Sequence, residues 1–158
     1  MNSSKLTHST FVIERDYAKP PERVFAAFAD AGRKRRWFAE GDNNDVVEHT
    51  LDFRAGGREI GRWRLDERSP FPGVILTHEG IYLHIVPNQL IASSHTMDVG
   101  EKRISASLVT VEFQPGGAGT HMVFTHHGAF FEGADGPQMR EAGWRKMLDR
   151  MTAEIEGK

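Results

Sequence analysis

The chain has 158 residues, of which 39% are hydrophobic and 27% charged, and its formal net charge is −2. This balance is typical of a globular domain, and the charge gives no general attraction to nucleic acid or acidic membranes. The absence of cysteine excludes disulfides, thiolate zinc sites and a cysteine nucleophile. No apolar run approaches the ~18 residues of a membrane span, and no signal peptide is visible. We expect one domain over residues 1–158, cytoplasmic and without membrane insertion.

The N-terminal part of the sequence predicts one strand followed by two short helices. Residues 8–17 alternate with a period of two, which indicates a strand. Pro20 and Pro21 suit a first helical turn. The segment after them carries an apolar stripe of Val24, Phe25 and Phe28. GRKRRWFAE then predicts a second short helix that turns Trp37 and Phe38 inward, and we interpret its basic run RKRR as a solvated face.

Strand signals then continue almost without a break. They cover residues 45–54, 58–67, 74–86, 90–98, 104–114 and 120–128. The links between them contain turn residues such as Gly56-Gly57 and are too short for parallel crossovers, so antiparallel pairing is expected. The segments LTHEGIY at 76–82 and FTHHGAF at 124–130 echo each other, but no sustained period extends the echo and we treat it as coincidence.

The last segment has helical spacing. Its apolar face consists of Trp144, Met147, Leu148, Met151 and Ile155. Asp135 is a candidate N-cap, Pro137 suits the first turn and Gly157 ends the helix. Gly143, inside the helix, costs ~1 kcal/mol relative to alanine and indicates either close packing against the sheet or room for a ligand. The predicted fold class is α+β, with one long helix covering a seven-stranded antiparallel sheet.

This order of elements resembles the helix-grip fold of the START and Bet v 1-like (SRPBCC) superfamily. The motifs that carry the resemblance are YAKPPERVFAAFAD, Trp37, DFRAGG, VTVEFQPGGAGTHMVFTHHG and GWRKMLDRM. Within the superfamily they are similar to the activator of heat-shock-protein-90 ATPase homologue group. The resemblance implies a curved sheet that grips the C-terminal helix, with an apolar cavity between them. His127 stands where glutamate is common in the group's THEG motif.

Eight histidines are enough to build a metal site, but strand alternation separates them. His126 shares a face with Met122 and Phe124 and is expected inside, whereas the adjacent His127 is expected outside. The same rule turns His49 inward together with Val47. Alternation also places His78 and His84 on one face with Tyr82, and it leaves His95 unoriented. Zinc needs three or four converging ligands, so we predict no metal and no cofactor.

The resemblance and the alternation together give a set of pocket candidates. These are His49, Trp63, Phe113, Phe124, His126, Trp144 and Leu148. Core packing explains any single aromatic among them, and a structural histidine is the alternative for His126. As a set, they describe the lining of a cavity between sheet and helix. No catalytic residue is assigned.

Three functions compete at this stage. The favoured one is a binding module for a small hydrophobic or amphipathic ligand. The second is a cyclase- or hydrolase-type enzyme with His126 as general acid or base, which requires at least two convergent polar groups of perturbed pKa. The third is a protein-interaction module with a chaperone as partner, by analogy with the chaperone activation known in the group. No GxGxxG, P-loop or GxSxG motif is present, so neither nucleotide binding nor a serine nucleophile is supported.

Overall fold

A computed structural model of the chain describes residues 5–41 and 44–157, so the remaining positions of the expected 1–158 domain lie outside the described residues. The order of elements is β1 (Thr7–Tyr17), α1 (Pro21–Ala29), α2 (Ala31–Lys34) with a π-helical turn (Arg35–Ala39), β2 (Asn44–Leu51), β3 (Arg58–Leu65), β4 (Ile75–Val86), β5 (Leu90–Val99), β6 (Lys102–Gly116), β7 (Gly119–Phe130) and α3 (Pro137–Glu156). No helix in the described ranges is long and apolar enough to cross a bilayer.

The strands form a seven-stranded sheet with the order β1-β7-β6-β5-β4-β3-β2, and every neighbouring pair is antiparallel. Each strand from β2 to β6 pairs with the next strand along the chain, whereas β1 pairs with β7. The connection through α1 and α2 therefore joins one edge of the sheet to the other. The predicted α+β class and the curved antiparallel sheet with two short helices after the first strand are confirmed.

The C-terminal helix α3 covers the inner face of the sheet. Its buried side chains are Trp144, Leu148, Met151 and Ile155. The Trp144 ring lies 4.6 Å from Phe124 of β7 and 5.8 Å from Phe38 of the π-helical turn. Two indole nitrogens fix this turn: Trp37 Nε1 donates to the Ala27 carbonyl and Trp63 Nε1 to the Ala39 carbonyl, each at 2.8 Å. The turn is thus held between α1, β3 and α3.

Two strand irregularities change which side chains face inward. The pairing of β2 with β3 shifts at Val47, and that of β4 with β5 shifts at Leu83. As a result Val47 is 47% exposed and does not share the inner face with His49. His84 is exposed as well, whereas Tyr82 is buried. Both expectations assumed an unbroken period of two, and a bulge reverses the alternation beyond it.

The start of α3 also differs from the prediction. Gly136, not Asp135, is the N-cap residue, and its position carries no side-chain cap. Asp135 instead accepts hydrogen bonds from Arg140 Nε and Nη2 at 3.0 and 2.9 Å. The C-terminal end agrees with the prediction, because Gly157 has the left-handed conformation, φ 74°, that terminates helices.

Gly143 neither packs against the sheet nor adjoins a ligand site, because it is exposed and a Cβ built on it meets no atom within 4 Å. Both explanations given for it were wrong. The substitution Gly143→Ala should therefore raise the free energy of unfolding by about 1 kcal/mol, through helix propensity alone. Urea denaturation measures the change. The matched control Gly119→Ala should destabilise, since its Cβ would collide with the Tyr17 carbonyl oxygen. A Gly143→Ala protein less stable than wild type would contradict this account.

Candidate functional site

A cavity of about 80 Å³ lies between α3 and strands β3 to β7, and we refer to it as the α3 cavity. Its apolar lining consists of Phe38, Trp63, Met97, Val109, Trp144 and Met147. Its polar lining consists of His78, His95, Thr96, Ser105, Ser107, His126 and Arg140. The side chains contributed by α3 and the π-helical turn are mainly apolar, whereas the sheet contributes the histidines and hydroxyls together with the other apolar groups. The cavity is therefore amphipathic.

Glycines in the strands make room for rings that line the cavity. A Cβ on Gly61 would lie 2.6 Å from the Trp63 ring, and one on Gly80 would lie 2.6 Å from His95 Nδ1. On Gly128 it would lie 3.0 Å from His126 Cε1. Glycine within a strand commonly marks such a close approach. These three positions show how the sequence lets the rings lie close to the backbone of the sheet.

Two of the cavity histidines form a hydrogen-bonded chain, here called the histidine chain, with a serine. His78 Nε2 lies 2.6 Å from His95 Nδ1, and His95 Nε2 lies 2.8 Å from Ser93 Oγ. A neutral imidazole donates from one nitrogen and accepts at the other. Hydrogen-bond donation along the histidine chain can therefore run in either direction. Reversing the direction moves a proton across each of the two hydrogen bonds.

Burial keeps the cavity histidines neutral. It lowers the pKa of His78 to about 4 and that of His95 well below its usual value. The pKa of His126 is also about 4, first because of burial and second because of the nearby positive charge of Arg140. At neutral pH all three rings are uncharged, and each offers one donor and one acceptor.

His126 differs from the other two in its hydrogen bonding. It is 2% exposed and stacks on Phe11, with the ring centroids 4.7 Å apart and the planes at 9°. Its Nδ1 is buried and has no hydrogen-bond partner among the described residues, and the same holds for Ser105 Oγ. A buried polar group left unpaired costs about 1–3 kcal/mol. The lining of the α3 cavity thus contains unused hydrogen-bonding capacity.

A second group of buried polar residues lies beside the cavity, behind Phe38, and is called here the ionic cluster. Lys34 Nζ donates to Glu59 Oε1 at 2.5 Å, and the Tyr82 hydroxyl donates to the same oxygen at 2.9 Å. His49 Nε2 lies 2.9 Å from Glu59 Oε2. Lys34 Nζ also lies 4.7 Å from the centroid of the Phe38 ring. Phe38 therefore contacts the cavity on one side and the ionic cluster on the other.

The charges of the ionic cluster follow from its contacts. Burial alone would raise the pKa of Glu59, but the Lys34 ammonium and the His49 hydrogen bond hold it well below its usual range. Burial and the Glu59 carboxylate raise the pKa of Tyr82 well above its usual value. Glu59 is thus an anion paired with a cation, and Tyr82 keeps its proton as a donor. The cluster carries no unpaired charge.

We did not identify this cluster from the sequence, and the prediction that Lys34 lies on a solvated face was wrong. Lys34 is 5% exposed. Two signals were present in the sequence. Lys34 precedes the inward residue Phe38 by four positions, which places both on one helix face. Glu59 precedes Trp63 by four positions in a strand, which places both on the inner face of the sheet.

The structure brings together three of the seven pocket candidates. Trp63, His126 and Trp144 line the α3 cavity. His49 belongs to the ionic cluster. The remaining three are buried in the core: Phe124 against Trp144, Phe113 against Phe25 and Phe28, and Leu148 on the inner side of α3. Contact of any of the seven with a ligand stays a prediction.

The alternation correctly placed His78 on one face with Tyr82, and the repeated THxG pattern links His78 to His126. His78 and His126 occupy the same position in LTHEGIY and FTHHGAF, and both line the α3 cavity. The echo that we treated as coincidence therefore marks two side chains of one site. His127 is exposed, as predicted, and its Nδ1 lies 2.9 Å from Thr10 Oγ1. Over residues 5–41 and 44–157, no group of three or more potential ligands converges on a metal position.

Comparisons with known proteins identify a matching family and similar solved structures. Residues 18–156 match the family model of the Activator of Hsp90 ATPase homolog 1-like proteins. The chain is similar to a protein from Rhizobium leguminosarum, with 36% identity, a TM-score of 0.89 and 97% of each chain covered. It is also similar to a protein from Rhizobium loti, with 43% identity, a TM-score of 0.84 and coverages of 94% and 98%. No curated protein matches it.

The ionic cluster generates a stability prediction. Lys34→Met removes the cation and leaves Glu59 buried as an unpaired charge, so it should lower the free energy of unfolding by about 3–5 kcal/mol. Adding Glu59→Gln should recover part of this loss, because the double variant buries no charge. Guanidinium denaturation of both single variants and the double variant gives the coupling energy. A Lys34→Met protein within about 1 kcal/mol of wild type would show that the pair is not buried in solution.

The neutral histidines generate a pH prediction. The folded-state pKa of His78 and of His126 is about 4, below the unfolded value of about 6.5. The unfolded chain therefore binds more protons, and stability is lost as the pH falls from about 6.5 toward 4. Each histidine should remove about 2 kcal/mol between about pH 7 and pH 5.

Urea denaturation across this pH range should show the decrease, and His126→Phe should reduce its slope. The matched control His127→Phe, at the exposed neighbouring position, should leave the slope unchanged. His121 acts in the opposite direction, because its hydrogen bonds to Asp16 and Glu14 raise its pKa. A free energy of unfolding that does not decrease toward pH 5 would contradict the neutral assignment of the cavity histidines.

Proposed function

We propose that this chain, which belongs to the family of Activator of Hsp90 ATPase homolog 1-like proteins, is a binding module that holds a small apolar or amphipathic molecule in the α3 cavity. One observation carries the proposal. His126 Nδ1 and Ser105 Oγ, which belong to two lining residues of an aromatic-walled cavity, are buried without a hydrogen-bond partner in the described part of the chain. Neither atom has appreciable accessible surface, so a guest that supplies such a partner gains binding free energy once the side chain turns the atom toward the cavity.

The composition of the cavity lining supports this proposal. Ligand sites are concave and mostly apolar, with a few polar groups that orient the ligand. The α3 cavity combines Phe38, Trp63 and Trp144 with the polar groups of the sheet. Its volume of about 80 Å³ is about half that of a ~150 Å³ apolar cavity that holds benzene, so a guest as large as one ring also requires a shift of a flexible lining side chain such as Met147. The guest is therefore a small molecule, and a lipid-sized ligand would require α3 to move.

Titration with toluene tests the proposal. Trp63 and Trp144 line the cavity, so binding of a small apolar ring should change the intrinsic fluorescence saturably. Val109→Phe places a larger side chain into the cavity and should abolish the change. The matched control Val12→Phe, at a position 46% exposed on β1, should leave it intact. Absence of saturable binding to the folded wild type would refute the proposal, and so would unchanged binding to the folded Val109→Phe protein.

An enzyme is the second candidate function, and one observation favours it. Three histidines of lowered pKa converge on one cavity, which meets the requirement of two convergent polar groups. A neutral imidazole is suited to accept a proton, and the histidine chain offers a second transfer path. Incubation with a cell extract separates the two functions. An enzyme depletes a compound that its His126→Phe variant does not deplete, whereas a binding module returns its ligand unchanged on denaturation.

A further inference from the structure

We propose that the ligand of the α3 cavity is a small uncharged ring that carries a hydroxyl group and presents this group to the His126 side chain. The inference rests on the proposed binding function and names the class of ligand. Three properties of the site lead to it: the shape and type of the apolar walls, the pairing of the buried charges, and the unused hydrogen-bonding capacity of His126.

The apolar walls favour a flat ring. Phe38 lies 5.7 Å from Trp63 and 5.8 Å from Trp144, measured between ring centroids, so three aromatic side chains meet at this side of the cavity. Aromatic rings attract one another in offset and edge-to-face arrangements at such distances. The volume of about 80 Å³ is about half the ~150 Å³ of an apolar cavity that holds benzene, so a single ring is the upper limit of size and enters with a shift of the flexible Met147 side chain. A flexible chain of equal size would lose more conformational entropy on binding.

The charges around the cavity exclude an ionised ligand. Arg140, the charged lining residue, is engaged by both carboxylate oxygens of Asp135. In the neighbouring ionic cluster, Lys34 is paired with Glu59. The cavity histidines are neutral. A carboxylate or an ammonium group would therefore lose its hydration without gaining a free counter-charge, which is unfavourable.

The polar group of the ligand follows from the chemistry of His126. A neutral imidazole has one N–H donor and one lone pair, and their positions depend on the tautomer. The ring of His126 makes no hydrogen bond with the described residues through Nδ1, so this nitrogen needs a donor in one tautomer and an acceptor in the other. A carbonyl or ether oxygen only accepts. A hydroxyl group donates and accepts, so it satisfies either tautomer.

Isothermal titration calorimetry near pH 7 with four ring compounds of similar size tests the inference. Phenol, which is uncharged at this pH, should bind about tenfold more tightly than toluene, as one hydrogen bond to a buried, unpaired group predicts. Benzoate and benzylammonium should bind more weakly than toluene, because each brings an uncompensated charge into the cavity.

Variants assign the preference to His126. His126→Phe keeps an aromatic ring against Phe11 but removes both nitrogens, so the ratio of phenol to toluene affinity should fall from about tenfold to about one. The matched control His127→Phe should keep the wild-type ratio, because His127 is exposed on the outer face. If His126→Phe does not fold, ¹⁵N-histidine spectra of wild type replace it. Phenol should then shift the His126 ring nitrogens, and toluene should not.

The outcomes separate this inference from the proposed function. Equal affinities of wild type for phenol and toluene would overturn the hydroxyl inference and leave ligand binding intact. Benzoate or benzylammonium binding more tightly than phenol would overturn the uncharged class. A phenol preference that persists in His126→Phe would move the polar contact to another residue and overturn its assignment. If no compound binds to the folded wild type, the binding function itself fails.

Discussion

The C-terminal helix encloses a layer of polar side chains against the sheet, and the rest of the site depends on how these groups are paired. Most are satisfied by neighbours: Lys34 by Glu59, and His78 by His95. His126 Nδ1 is an exception among the described residues. The satisfied groups are explained by the fold alone, since unpaired buried charges and dipoles would destabilise it. The unsatisfied groups, which also include Ser105 Oγ, are where a guest molecule gains most.

The fold was predictable because its signals are local and repeated. Alternation along seven strands indicates one apolar face of the sheet, and the spacing of Trp144, Leu148 and Met151 indicates one apolar face of the helix. Each face must be buried, and the two bury each other. The failures have local causes. Bulges at Val47 and Leu83 shift the alternation without a mark in the sequence.

The site was predictable only in part, because its polar members come from separate elements. The aromatic candidates Trp63 and Trp144 and the inward His126 follow from the alternation and the helical spacing. The ion pair of Lys34 and Glu59 joins a helix to a strand 25 positions away, and no single period encodes such a contact. The convergence of His78 and His95 on His126 depends on the register of four strands. The basic run was therefore interpreted as a solvated face, and the strand glutamate was not identified as its partner.

Membership of the family accounts for the architecture and leaves the chemistry of the cavity to individual residues, because one fold hosts many functions. The position where the sequence departs from the group's THEG motif illustrates this. His127 replaces the common glutamate, but it is exposed and its Nδ1 lies 2.9 Å from Thr10 Oγ1 on the outer face of the sheet. This departure does not reach the α3 cavity. The inward neighbour His126 is the residue on which the binding hypothesis depends.

A crystal structure of the protein purified without denaturation would show directly whether the α3 cavity holds a guest. Our central claim is that α3 leaves a ligand-sized cavity above the sheet and that a guest completes the hydrogen bonding of His126. We expect an open space between Trp63, Trp144 and His126, containing density for a small molecule or ordered water within hydrogen-bonding distance of the His126 ring. A core in which Trp144 and Met147 fill this space and a protein group bonds His126 Nδ1 would contradict it.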